Sequence, residues 1–121
     1  QGIYRSIYGY AKGSNELLVV ECGKGGLEEM IENFDETQVL YGFAKVIDEN
    51  TRLPKFVFIA WCPEGAAMNR RSQFNIHSRQ VAQKLKGFHV EIVARNEFDI
   101  KPEVIKKKIR DSSGAKFSIH Q

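Results

Sequence analysis

The sequence has few cysteines and no long apolar run. Only two of its 121 residues are cysteine, Cys22 and Cys62, and neither stands in a C-x-x-C pair or has a histidine at metal-ligand spacing. We therefore expect no zinc site and a reducing compartment, although one disulfide between the two stays open. No run reaches the roughly 18 apolar residues of a membrane span, and no signal peptide is recognisable.

Charge of one sign is not in large excess either. The sequence has 18 basic and 15 acidic residues and a net charge of +3, far below that of dedicated nucleic-acid binders, so we expect no nucleic-acid partner. This mild positive charge would help the protein approach an acidic surface, such as a filament or anionic lipid head groups. Hydrophobic residues make up 42% of the chain, enough for the core of one domain.

Turn residues divide the chain into strands and helices. Five segments have the apolar and β-branched content of strands: Ile3–Tyr10, Leu17–Cys22, Thr37–Ile47, Leu53–Trp61 and Phe88–Ala94. Three have helical spacing of apolar residues: Leu27–Phe34, Ala66–Lys86 before Gly87, and a last helix from Pro102 with Asp99 as its N-cap. We expect residues 112–114 to stop that helix and residues 115–119 to form a short strand or an extended tail. This order predicts a mixed sheet with helices packed on it.

The long helix 66–86 has an unusual outer face. A helical wheel places Phe74 at the centre of the core face, with Ser78, Val81, Ala82 and Leu85 around it. The opposite face holds Met68, Asn69, Ser72, Ile76, Arg79, Gln80 and Gln83. The apolar Met68 and Ile76 among polar and basic residues suit a partner surface, but single exposed apolar side chains are also ordinary.

Two basic groups add to the candidate surfaces. Arg70 and Arg71 near the start of the long helix oppose its dipole, so they suit an acidic partner or phosphate, unless they are simply solvated. They also make Ser72 a possible kinase site, where a phosphate should weaken binding to an acidic partner. The second group, Lys106, Lys107, Lys108 and Arg110, is either a solvated helix face or a contact for phosphoinositides or a filament.

No set of residues predicts catalysis. His77, His89 and His120 have no serine, cysteine or carboxylate partner at a telling spacing. We therefore expect no enzymatic activity, no cofactor and no metal.

Five segments occur in an order and at a spacing that carry a family resemblance. They are Gly25–Met30, Val39–Val46, Leu53–Trp61, Lys86–Val90 and Ser113–Ser118. Together they resemble the actin-depolymerising-factor homology domain over Gly9–Gln121. The nearest likeness is to the drebrin-like actin-binding proteins, and coactosin and cofilin are more distant.

The resemblance implies an α+β fold, in which a mixed sheet of about five strands is sandwiched between helices. It also implies a non-catalytic module that binds the side of actin filaments through the long helix, without severing them. By position in the family, the contacting residues would be Ala67, Met68, Asn69, Arg70, Arg71, Ser72 and Asn75, and the outer face of the helix adds Ile76 and Arg79. Arg71 matches the second of two basic family residues, whereas Asn69 stands where the first would be.

Further expectations follow from the same resemblance. A second filament contact would use the turn Asp48–Arg52, in particular Arg52, together with Lys106–Arg110, the region that could instead bind phosphoinositides. The family begins with a helix that packs on the sheet, and Gln1–Tyr8 is too short to supply it, so we expect that helix to be missing from this sequence. We also expect a monomer in the cytoplasm, on the actin cytoskeleton of the cell cortex.

Overall fold

Two hairpins and two helical crossovers build the sheet. In a computed structural model, which describes the backbone of residues 5–119 and the side chains of residues 5–112, the strands are β1 (Arg5–Tyr10), β2 (Leu17–Gly23), β3 (Leu40–Ile47), β4 (Pro54–Trp61) and β5 (Val90–Ala94). Their order is β2-β1-β3-β4-β5. All neighbouring strands are antiparallel except β4 and β5, which are parallel. The sheet is therefore mixed, as the resemblance implied.

Helices cover both faces of the sheet. They are α1 (Leu27–Ile31), α2 (Met68–Leu85), a 3₁₀ helix (Glu97–Ile100) and α3 (Pro102–Ile119). The α1 and α3 helices pack on one face, around a core that includes Ile7, Ile59 and Trp61. The α2 helix packs on the other face, around Tyr41, Phe58 and Phe74. The predicted α+β sandwich is confirmed.

The described helices do not include a span of the bilayer. Between residues 5 and 119, no helix combines the length and the hydropathy that crossing a membrane requires.

Most elements are shorter than the sequence suggested, but their buried faces are as predicted. The α1 helix ends at Ile31, yet Phe34 beyond it is still buried and its ring lies 5.4 Å from that of Trp61. The indole Nε1–H of Trp61 donates to the carbonyl of Asp35 at 2.8 Å, so this core contact also fixes the loop after α1.

Two predictions at the C-terminal helix are wrong. Asp99 is not the N-cap of α3, because it lies inside the 3₁₀ helix that precedes α3. The N-cap of that 3₁₀ helix is Asn96, whose Oδ1 accepts from the backbone N–H groups of Phe98 and Asp99. The Asp99 carboxylate instead accepts from the backbone N–H of Arg95 at 2.8 Å. Residues 112–114 do not stop α3, which runs on to Ile119, so the strand or tail predicted for 115–119 is also wrong. Glycine within a helix costs only about 1 kcal/mol, and the Ser112 hydroxyl bonds inside the helix, to the carbonyl of Ile109 at 2.8 Å.

The start of the first strand is relevant to the prediction that the family's N-terminal helix is missing from this sequence. β1 begins at Arg5, and Ile3 and Tyr4 of the predicted strand lie outside the described residues. A groove of about 560 Å³ runs between α2 and the β1–β2 hairpin, with apolar walls that include Tyr8, Leu17 and Val81. The missing helix itself stays a prediction.

An ion-pair network around the buried Arg5 joins β1, β2 and α1. The Arg5 side chain is only 10% exposed, and its guanidinium donates to the carboxylates of Glu21 at 2.6 Å and Glu29 at 2.7 Å. This contact lowers the pKa of Glu21 below its usual value, mainly through the hydrogen bond from Arg5. The network lies at the open edge of the sheet, where β2 has only β1 as a neighbour.

Acid should weaken the domain through this network. Because the folded-state pKa of Glu21 is depressed, its contribution to stability is complete above the unfolded-state pKa of about 4.3 and is lost as the pH falls through the folded-state value. We expect urea midpoints measured over a pH series to fall less steeply on acidification in Glu21→Gln than in the wild type. Glu16→Gln, which removes an exposed carboxylate next to the same hairpin, should keep the wild-type slope. Equal slopes in all three proteins would contradict the assignment.

Candidate functional site

The α2 helix attaches to the sheet through a narrow apolar stripe. Only Phe74 and Ser78 are fully buried within it, and Val81, Ala82 and Leu85 are partly buried against the same core. Phe74 stacks on the buried ring of Tyr41, with 6.3 Å between the ring centroids. The helix ends as predicted, because Gly87 has a φ of +88° that favours glycine after a helix. The core face drawn on the wheel is confirmed.

The opposite face of α2 is exposed and partly apolar. Met68 is 78% exposed and Ile76 is 66% exposed. The neighbouring members of the predicted surface, Ala67, Asn69, Ser72, Asn75 and Arg79, are exposed as well. The Ser72 hydroxyl donates to the carbonyl of Asn69 at 3.0 Å, so this bond lies within the helix itself.

Arg70 does not lie on that open surface. Its guanidinium donates to the Asn15 Oδ1 at 2.7 Å and to the carbonyl of Ser14, both in the β1–β2 turn. It also lies 4.0 Å from the ring centroid of Tyr10, a cation–π contact. These internal contacts explain why an arginine stands near the helix start, and no external partner is needed for that explanation. Arg70 therefore holds α2 against the hairpin.

Arg71 points to the other side of the helix and is exposed. It acts electrostatically on the buried thiol of Cys62, whose pKa is raised by burial, and Arg95 acts on that same thiol. The Arg95 guanidinium also lies 5.4 Å from the Phe74 ring centroid. Arg71 and Arg95 therefore form a positive region beside the start of α2.

Sequence reasoning missed Arg95, although a signal was present. Arg95 directly follows β5, which is parallel to β4. The carboxyl ends of parallel strands lie at the same edge of a sheet, and β4 leads into α2 at that edge. A parallel pairing of the two strands would therefore have placed Arg95 near the start of the helix.

The turn 48–52 and α3 meet at the other end of β4. A small cleft there is lined by Ile47, Asp48, Lys106 and Arg110, among others, so the two regions predicted to act together are neighbours. Arg52 is exposed, at the tip of the hairpin with a φ of 65°. Ile47 is 55% exposed and Leu53 is 60% exposed; sequence reasoning took both as ordinary strand residues.

The lysine run on α3 is partly engaged within the domain. Lys106 Nζ lies 3.7 Å from a carboxylate oxygen of Glu28, and Lys107 pairs with Asp111 at 3.0 Å. Lys108 and Arg110 are exposed, and neither forms an ion pair among residues 5–112. These two have the side chains that are most available to a second partner.

The histidines and cysteines do not assemble a reactive site within the described side chains. His77 contacts the Tyr10 hydroxyl, and His89 Nδ1 accepts from the backbone N–H of Phe56, while His120 lies outside the described residues. Cys22 and Cys62 are both free thiols. In the part of the chain that the structure describes, no group of three or more His, Cys, Asp or Glu side chains could hold a metal ion.

Comparisons with known proteins agree on one family. The family model described as cofilin/tropomyosin-type actin-binding protein matches residues 5–110. The chain is 42% identical over 115 residues to Protein app1 of Schizosaccharomyces pombe, covering 95% of this chain and 13% of that protein. It is 41% identical over 116 residues to Drebrin-like protein B of Xenopus laevis, covering 96% of this chain and 31% of that protein. The chain thus corresponds to a minor part of these longer proteins.

Solved structures give the same result. The cofilin homology domain of the yeast actin-binding protein ABP1P superposes with a TM-score of 0.81 at 30% identity, covering 86% of this chain and 77% of that one. Coactosin from Entamoeba histolytica superposes with a TM-score of 0.84 at 30% identity, covering 93% of this chain and 83% of that one.

A mixed five-stranded sheet, with one long helix across one face and a short and a long helix across the other, defines the class of actin-depolymerising-factor homology domains. The chain belongs to the cofilin/tropomyosin-type actin-binding protein family. The resemblance to drebrin-like proteins and coactosin is confirmed.

Proposed function

We propose that this domain binds actin through the exposed face of α2, formed by Ala67, Met68, Asn69, Arg71, Ser72, Asn75, Ile76 and Arg79. The observation that carries the proposal is the exposure of Met68 and Ile76, at 78% and 66%. The same helix face also bears two exposed arginines, Arg71 and Arg79. Family membership gives actin as the partner. The match to the actin-binding family supports an actin-binding role over catalysis, and we propose that the domain is not an enzyme.

The binding energy would come from a few of these residues. Burial of Met68 and Ile76 against actin removes apolar surface from water, at about 25 cal/mol per Å². Arg71 and Arg79 would meet acidic groups on actin and mainly raise the association rate and fix the orientation. Arg70 acts indirectly, because its guanidinium is engaged with the β1–β2 turn.

We further propose that the domain binds the side of filaments and does not sever them. The start of α2 and the surface around Arg52, Lys108 and Arg110 lie at opposite ends of β4. A strand of eight residues separates them by about 26 Å, at about 3.3 Å per residue. Two separate surfaces at opposite ends of one strand would allow the domain to contact two subunits of a filament.

Co-sedimentation with actin filaments over a salt series tests this function. We expect saturable pelleting that weakens as salt rises, because charged contacts are screened, and little binding to monomers. Arg52→Ala with Arg110→Ala should reduce pelleting and leave any monomer binding unchanged. A folded domain that does not pellet would rule out the function, and filaments that shorten under the microscope would rule out binding without severing.

A second candidate is a phosphoinositide-binding module that uses Lys106, Lys107, Lys108 and Arg110. It is favoured by a groove lined by Lys24, Lys45 and Lys106, which brings three lysines from separate elements together. Flotation with vesicles that contain or lack phosphoinositide separates the two functions, since only this second candidate requires binding to the anionic vesicles. Binding to both ligands with mutual competition would mean that they share the α3 surface.

The remaining proposals concern context. We propose a monomer that acts in the cytoplasm on the actin cytoskeleton, at the cell cortex. No cofactor and no nucleic acid enter this function. Because the chain matches 13% of app1 and 31% of Drebrin-like protein B, the activities of those whole proteins lie beyond the role proposed for this domain.

A further inference from the structure

A chain of three side chains connects the sheet to α2. The hydroxyl of Tyr10 on β1 lies 2.8 Å from the hydroxyl of Tyr41 on β3. The same Tyr10 hydroxyl lies 2.9 Å from Nδ1 of His77 on α2. The Tyr10 and His77 rings are also in contact, with 5.8 Å between their centroids. The residues come from three separate elements, so their meeting is a property of the tertiary fold.

The proton order along this chain follows from burial. Burial raises the pKa of Tyr41 and that of Tyr10, so both hydroxyls keep their protons at neutral pH. Tyr41 is fully buried, and its only hydrogen-bond partner among the described side chains is Tyr10. An unpartnered buried hydroxyl is costly, so Tyr41 donates to Tyr10, and Tyr10 in turn donates to His77. His77 must then accept at Nδ1 and carry its proton at Nε2.

Arg70 adds a second polar link on the same side of the helix. Arg70 and His77 are about two helical turns apart, and both contact Tyr10 of the β1–β2 hairpin. On α2 only Phe74 and Ser78 are fully buried. Such a narrow stripe leaves the rotation of the helix about its own axis weakly fixed by packing, so these polar links have to fix it.

We propose that Tyr10 and His77 are positioning residues, which set the rotation of α2 on the sheet and so the direction in which Met68 and Ile76 face actin. The inference rests on the proposed actin-binding function and adds two residues that do not touch actin. The charged residues that line the groove with His77 are Lys84 on α2 and Glu16 beside β2, and Tyr8 and Tyr10 of β1 line it as well. Arg70 contacts the Tyr10 ring. Among the described side chains, only Tyr10 forms a hydrogen bond with a ring nitrogen of His77.

The test combines a spectroscopic signature without actin and a binding measurement with it. In the ¹⁵N-labelled domain at about pH 8, where histidine is neutral, we expect the His77 ring to be the Nε2–H tautomer. Tyr10→Phe should relax this preference. Tyr10→Phe and His77→Leu should each weaken filament binding about three- to tenfold, the range of one hydrogen bond. The double variant should be no weaker than either single one, because both remove the same bond.

Two further variants separate positioning from general loss of structure. His77→Asn places an amide oxygen near the position of Nδ1, so it should recover binding to within about twofold of the wild type. Lys84→Ala changes the wall of the same groove without removing a link to Tyr10, and it should bind nearly as well as the wild type.

Each outcome decides the inference. An Nδ1–H tautomer overturns the proposed proton order. Unchanged binding of Tyr10→Phe, with Met68→Ala losing affinity, overturns the positioning role and leaves the actin function standing. A wild-type domain that does not bind filaments overturns the actin function and the positioning role with it. In that case two measurements without actin still test the hydrogen-bond chain. They are the tautomer of His77 and the coupling of Tyr10 and His77 in the free energy of unfolding.

Discussion

Arg71→Ala is expected to weaken filament binding at least tenfold, or about 1.4 kcal/mol, with no change in the free energy of unfolding. Arg71 is exposed and lies three positions from Met68, which makes the two neighbours on the helix surface, so its removal would take away a proposed contact to actin and no internal hydrogen bond. Arg70→Ala is expected to behave differently. It removes the bonds to Ser14 and Asn15 and should lower the stability by about 1 kcal/mol. Co-sedimentation and urea unfolding of the two variants measure both effects.

A matched control separates a local contact from overall charge. Lys84→Ala removes the same charge from the same helix, on the side that faces the groove, and it should bind nearly as well as the wild type. If Lys84→Ala and Arg71→Ala lose affinity equally, only the net charge matters and the proposed surface is wrong. If Arg70→Ala leaves stability unchanged, its contacts with the hairpin contribute little.

Phe74→Ala is expected to destabilise the domain by about 3–5 kcal/mol. Phe74 is 2% exposed, stacks on Tyr41 and is the only large side chain of α2 that is fully buried. Since small domains are stable by only about 5–15 kcal/mol, this loss would bring the protein near to unfolding. Thermal and urea unfolding, followed by circular dichroism, measure it.

Ile76→Ala is the matched control, two positions along the same helix. Ile76 is 66% exposed, so its truncation should change the free energy of unfolding by less than about 0.5 kcal/mol and yet weaken actin binding. Comparable destabilisation by the two variants would show that Ile76 is packed within the domain. A stable Phe74→Ala variant would show that α2 does not depend on its apolar stripe.

The parts of the fold that rest on local patterns were predictable from sequence. The apolar run Phe56–Trp61 gave a central strand, because a strand covered on both faces has no polar alternation. The helical spacing of α2 gave its buried and exposed faces. The end of α3 was misjudged because serine and glycine are weak signals: they disfavour a helix by amounts that packing of Ile105 and Ile109 exceeds.

The side-chain partners within the candidate site were harder to predict from the sequence. A helical wheel gives the direction of Arg70 but not the turn 55 positions away that accepts its hydrogen bond. The same holds for Tyr10 and His77, which are 67 positions apart. Adjacency in the sequence grouped Arg70 with Arg71, although the fold gives one an internal role and leaves the other exposed.

The crossover from β4 through α2 to β5 has a consequence for folding. The two hairpins close over short turns, whereas β5 must return to β4 across 33 positions, the separation of Phe56 and His89. Closing that loop costs more chain entropy than closing a hairpin, and the loop consists largely of α2. The pairing of Ile7 with Gly42 joins β1 to β3 over a comparable length of chain. Both long-range pairings should therefore follow the hairpins, and docking of α2 should form one cooperative step with the addition of β5. An α2 surface that is intact enough to bind a partner would then imply a sheet that has gained its last strand.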